Sequence, residues 1–106
     1  MITSQNKYDA IESFIFTEGL RIASVMLSPE KDKLYIHLNN NSEFVVSVKN
    51  YKALKNASGK QLKNYRLVAD GVGIHWPGLD EDLSLKGFLK EFLVKRVRNR
   101  RKLVIS

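Results

Sequence analysis

The chain has 106 residues, no cysteine, 43% hydrophobic residues and a formal net charge of +7. That length suits one domain with a single core, and the missing cysteines exclude disulfides and thiolate metal sites. No apolar run approaches the ~18 residues that a membrane span needs, and the polar start Met1 to Tyr8 leads into no signal-type apolar region, so the expected setting is the cytoplasm.

Charge is unevenly placed. Lys95, Arg96, Arg98, Arg100, Arg101 and Lys102 supply six positive charges, and no acid follows Glu91. Without that run the formal charge is 7 − 6 = +1. The sequence therefore reads as a near-neutral body with a basic tail.

In chain order, Tyr8, Ile11, Phe14 and Ile15 fall near helical spacing, which predicts a short helix over 7–16. Phe14-Ile15-Phe16 also fits a strand. Gly19 breaks this segment. Leu20 to Leu27 is rich in β-branched and apolar residues and reads as a strand. Ser28-Pro29-Glu30-Lys31-Asp32 is a polar turn. Leu34, Ile36 and Leu38 alternate with Tyr35 and His37, the pattern of a half-buried strand with His37 on its outer side. Asn39 to Ser42 is a turn, and Phe44, Val46 and Val48 alternate again, completing an antiparallel meander.

Tyr51 to Ala57 predicts a short helix capped by Asn50, with Leu54 and Ala57 inward. Ser58 is a second cap, opening a helical turn through Gln61 and Leu62. Tyr65–Ala69 and Val72–Trp76 form a hairpin around Asp70-Gly71, with Gly73 marking a bulge. Leu85, Phe88, Leu89, Phe92 and Leu93 then give one wide apolar face to a C-terminal helix. Ser84 is its N-cap, and Asp80, Glu81 and Asp82 precede the positive end of its dipole.

Three blocks carry a family resemblance. They are Leu54-Lys55-Asn56-Ala57, then Gly71-Val72-Gly73-Ile74-His75-Trp76-Pro77, and then Leu79-Asp80-Glu81-Asp82-Leu83-Ser84 with Gly87 to Leu89. Over roughly residues 20 to 90 the chain resembles the small prokaryotic family called domain of unknown function 2442. The resemblance implies a small α+β fold on an antiparallel sheet. It implies stand-alone bacterial relatives, some fused to a helix-turn-helix domain and some beside another small protein in a toxin–antitoxin-like arrangement. It carries over no catalytic residue. Family members tend to end soon after the Gly-Phe-Leu helix start, so the basic extension here departs from the pattern.

The chemistry on offer is sparse. His75 with Asp80, Glu81 and Asp82 has the residue types of a metal or acid–base site. Three consecutive acids diverge, however, and capping with dipole pairing accounts for them. Trp76-Pro77 reads as a core anchor that ends a strand rather than an aromatic binding surface. Gly71-Val72-Gly73 lacks the lysine and helix of a phosphate loop, and no serine sits in a nucleophile elbow. Together Gly71, Gly73, His75, Trp76, Pro77, Asp80, Glu81, Asp82 and Ser84 form a motif read as structural. The tail fits phosphate, because guanidinium groups donate in a fork. It equally fits a solvated helix end matched to the dipole. A basic amphipathic helix on an anionic membrane is a third reading, less suited because the apolar face fits a core. Leu103-Val104-Ile105 could add a strand to a neighbouring sheet or dock on another chain.

The expectation is an α+β protein with an antiparallel sheet of about five strands, a meander plus a hairpin, and the 84–95 helix packed on one face. Residues 1–18 form an N-terminal arm, 19–94 the domain and 95–106 the basic extension. No cofactor, catalytic residue or metal site is expected. The expected function is a non-enzymatic binding or regulatory protein, antitoxin-like toward another small bacterial protein. The alternative is a nucleic-acid-binding accessory protein acting through Lys95, Arg96, Arg98, Arg100, Arg101 and Lys102. The expected partner is another protein or nucleic acid, not a membrane, with oligomerisation left open.

Overall fold

A computed structural model describes residues 8–103, with side chains through Val94. Asp9 opens the fold. Its carboxylate accepts from the Glu12 amide at 2.7 Å, and the Glu12 carboxylate accepts from the Asp9 amide at 3.1 Å. This reciprocal cap starts α1 (Ala10–Glu12). The chain then widens into a π-helical turn over Ser13–Thr17, closed by the Glu18 amide donating to the Ser13 carbonyl at 2.9 Å. The segment is thus helical rather than a strand. It carries fully buried Ile15 into the core while Phe14 and Phe16 stay exposed.

The meander follows the alternation. β1 (Ile22–Leu27), β2 (Lys33–Leu38) and β3 (Glu43–Ser47) form an antiparallel sheet in that order. Leu34, Ile36 and Leu38 face inward from the central strand. The β1–β2 turn is built on Ser28, which is 3% exposed. Its hydroxyl accepts from the amides of Asp32 and Lys33 and donates to the Asp32 carboxylate. On the outer side of β1, the Val25 amide donates to the Tyr65 hydroxyl at 3.1 Å.

α2 (Lys52–Lys55) buries Leu54. Tyr51, not Asn50, holds its N-cap position, with extended backbone and no side-chain hydrogen bond. Asn50 instead ends a 3-10 turn over Val48–Asn50. α3 (Gly59–Lys63) starts at Ser58 with a full capping box to Gln61.

The second half forms another three-stranded antiparallel sheet in the order β4 (Arg66–Val68), β5 (Gly73–Trp76), β6 (Glu81–Ser84). The architecture is α+β with a meander, the 66–76 hairpin and a C-terminal helix, and six strands in two sheets. The additional strand is β6, which pairs Trp76 with Glu81 and Gly73 with Ser84. The β4–β5 register is regular at Val68 and Gly73, so Gly73 marks no bulge; the irregularity lies in β1 between Ile22 and Ser24.

Ala69, Asp70 and Gly71 all have positive φ, at 51°, 57° and 92°. A Cβ on Gly71 would lie 2.5 Å from the Ile22 carbonyl oxygen. Glycine there satisfies both the left-handed backbone and the close approach of β1. One core joins both sheets and the C-terminal helix, with Trp76, Ile15, Leu34, Ile36, Leu54, Leu62, Ile74 and Leu85 fully buried.

α4 (Leu85–Leu103) is a single helix. The Ser84 hydroxyl accepts from the Gly87 amide at 2.9 Å, as expected of its N-cap. Lys86 ties the helix to the N-terminal segment through Glu12 at 2.6 Å and Asp9 at 3.7 Å. Hydrogen bonding to Lys86 holds the Glu12 carboxyl below the usual range, and the Glu12 amide does the same for Asp9.

Candidate binding surfaces

Strand alternation splits the family motif between two faces. Ile74 and Trp76 point into the core, so His75 points out of β5. Register places Arg66, His75 and Asp82 in one row across β4, β5 and β6. His75 Nδ1 lies 2.7 Å from Asp82 Oδ1. That contact orients the ring and leaves Nε2 as its other polar position. Asp80 sits in the Pro77–Asp80 turn with φ 51°, while Glu81 and Asp82 belong to β6. The acidic triplet thus precedes α4 from within a turn and a strand. It closes a turn and builds a strand, because pairing with β5 occupies the backbone up to Ser84.

A shallow groove of about 310 Å³ runs beside this row, between β6 and α4, lined in part by Asp82, Ser84, Tyr51, Lys90 and Glu91. The half-buried Tyr51 hydroxyl donates to Glu91 at 2.9 Å. Burial first, and then the Glu91 carboxylate, push the tyrosine proton's pKa upward. A tyrosine held protonated beside a carboxylate that already accepts from it is a positioning pair, not a nucleophile. Ser84 is likewise committed to the helix cap. On the other sheet His37 is half-buried on the outer face and pairs with Glu43 at 3.0 Å. His37 and His75 thus each serve a separate cross-strand pair. Among the described residues no group of three or more His, Asp or Glu could hold a metal ion.

The wide apolar face of α4 is only partly covered. Leu85 and Phe88 are buried, whereas Phe92 and Leu93 are 42% and 47% exposed. Phe92 meets Phe44 edge-on at 5.6 Å between ring centres. Beside it lies a second concavity of about 190 Å³ lined by Glu43, Phe44, Val45, Val46, Phe88, Glu91 and Phe92. Sequence reasoning missed this surface, since periodicity alone does not say how much of a helix face a body covers.

The helical backbone continues through the basic run. The side chains of Lys95, Arg96, Arg98, Arg100, Arg101 and Lys102 lie outside the described ones, as do residues 104–106. No described helix is long and apolar enough to cross a membrane.

Two solved structures resemble this fold. A protein of unknown function from Rhodospirillum rubrum is 29% identical, with a TM-score of 0.62 over 68% of this chain and 87% of the other. An uncharacterized protein from Chromobacterium violaceum, solved by solution NMR, is 27% identical, with a TM-score of 0.63 over 85% of each chain. No curated protein matches. Residues 22–93 match the family described as Protein of unknown function (DUF2442), a span that contains both sheets and the first half of α4. The chain belongs to that family.

Proposed function

We propose that this protein is a non-enzymatic binding module that docks another small protein, in an antitoxin-like or regulatory role. The observation that carries this reading is the partly exposed end of the apolar face of α4, where Phe92 and Leu93 continue the stripe begun by buried Leu85 and Phe88. Exposed apolar side chains beside a concavity are the usual anchor of a protein interface. Glu43 and Glu91 flank this one, so the fitting occupant is an apolar side chain next to a lysine or arginine.

A pull-down from native cell extract, with and without nuclease, tests the reading. Capture that survives nuclease and is lost in a Phe92→Ser variant supports it. Capture abolished by nuclease and unaffected by Phe92→Ser favours the second reading, a nucleic-acid accessory role. That reading is supported by the unbroken helix under Lys95–Lys102. It expects a slope of log K against log salt of about −5 for six phosphate contacts on duplex DNA. Truncation after Val94 would then remove most of that salt slope.

A further inference from the structure

The near-neutral body is electrically divided. Residues 31–63 hold seven lysines against two acids, a net +5, whereas 64–94 hold three bases against five acids, a net −2. The fold concentrates part of that positive segment. Lys33 at the start of β2 lies opposite Ser47 at the end of β3, and the chain beyond Ser47 turns through Lys49 into α2. A concavity of about 210 Å³ results, lined by Lys31, Asp32, Lys33, Ser47, Val48, Lys49 and Lys55.

Its charges are not internally balanced. Asp32 is the one carboxylate in the lining, and it already accepts from Ser28 and Lys33. Lys31, Lys49 and Lys55 form no ion pair among the described residues. The wall bearing Lys31 is built rather than loose. Buried Ser28 holds the turn through three hydrogen bonds of its hydroxyl, and the Lys31 amide donates to the Ser28 carbonyl at 2.9 Å. The Lys31 stem lies in the space that a Cβ on Gly59 would crowd, 3.1 Å from that position. Several ammonium groups around one concavity repel each other, and an anion in the concavity relieves the repulsion.

We propose that this lysine-lined concavity between the β1–β2 turn and α2 binds a phosphate group. Phosphate oxyanions match ammonium donors, and a phosphodiester backbone or a small phosphorylated molecule presents the same chemistry. Its lining shares no residue with the C-terminal run or with the concavity beside Phe92.

Isotope-labelled full-length protein, titrated at low ionic strength with pyrophosphate and separately with a short thymidine oligonucleotide, tests the proposal by amide NMR. Saturable shifts at residues 31–33 and 47–49 are expected, and Lys49→Gln/Lys55→Gln should weaken them at least about tenfold. Both positions are exposed, so the fold should tolerate the change. Shifts with pyrophosphate identify a small phosphorylated ligand; shifts with the oligonucleotide alone identify a nucleic-acid backbone. In that second case the salt slope should fall by about 0.7 per lysine removed. The proposal is overturned if neither probe moves these amides, if sodium chloride moves them equally, or if the double variant binds as the parent does.

Discussion

Trp76 and Leu62 are joined by a 2.9 Å hydrogen bond from the indole Nε1 to the Leu62 carbonyl, with the indole fully buried. The bond explains why a tryptophan can sit at the centre of this core: its polar edge is satisfied by the α3 backbone. Trp76→Ala should therefore cost about 3–5 kcal/mol, enough to unfold a marginal domain. Trp76→Phe keeps a ring but strands the carbonyl, and should cost about 1–3 kcal/mol from that loss alone. Urea denaturation of the two variants checks this. Parent-like midpoints for both would remove Trp76 from the core.

Ser84 and Asp82 separate two effects that lie close in sequence. Ser84→Ala removes the acceptor of the Gly87 amide and should lower stability by about 0.5–2 kcal/mol. Asp82 pairs with His75 while 73% of its side chain is exposed. Asp82→Asn should change stability by no more than about 1 kcal/mol. Thermal melts of both proteins give the comparison, and a larger loss for Asp82→Asn would contradict it.

Gly71→Ala introduces a methyl 2.5 Å from the Ile22 carbonyl oxygen on a backbone with φ 92°. Left-handed strain alone costs about 1–2 kcal/mol, and the displaced β1 backbone adds to it. We expect a loss of at least ~2 kcal/mol. Asp70→Gly, at φ 57°, should leave stability near the parent's, because glycine adopts that backbone freely. Chemical denaturation that ranks the two variants in reverse would refute this account of the turn.

Acid should loosen the junction between the N-terminal segment and α4. Asp9 and Glu12 have native pKa values below their unfolded ones. Their stabilisation is complete above the unfolded values near ~4 and is lost as pH falls through the native values. Lys86 is shifted upward, so its share persists until pH rises through its native value at the alkaline end. Glu12→Gln should be less stable than the parent at neutral pH and nearly equal to it at strongly acidic pH. Urea midpoints at the two conditions measure the convergence, and a constant gap would count against the ion pair.

The meander was readable because Leu34, Ile36 and Leu38 alternate without interruption and each meets the core. The Ser58 and Ser84 caps were readable because a hydroxyl before a helical stretch has few other uses. β6 was not, since Glu81-Asp82-Leu83-Ser84 has one apolar residue and no strand-like composition; pairing with β5 makes it a strand. The His75–Asp82 contact depends on that missed pairing. The lysine concavity was hidden for a related reason: Lys31, Lys33, Lys49 and Lys55 are scattered among other residues, and net charge averages them against distant acids.

The hydrogen bond between the Val25 amide and the Tyr65 hydroxyl has a consequence for crowded solution. β1 is an outer strand, and an unpaired amide there would invite a strand from a neighbouring molecule. A side chain from the connection between α3 and β4 occupies that donor, so the outer strand of the first sheet is guarded by the segment that leads into the second. Removing one oxygen, as in Tyr65→Phe, would leave the core volume nearly unchanged while making the protein more prone to self-association.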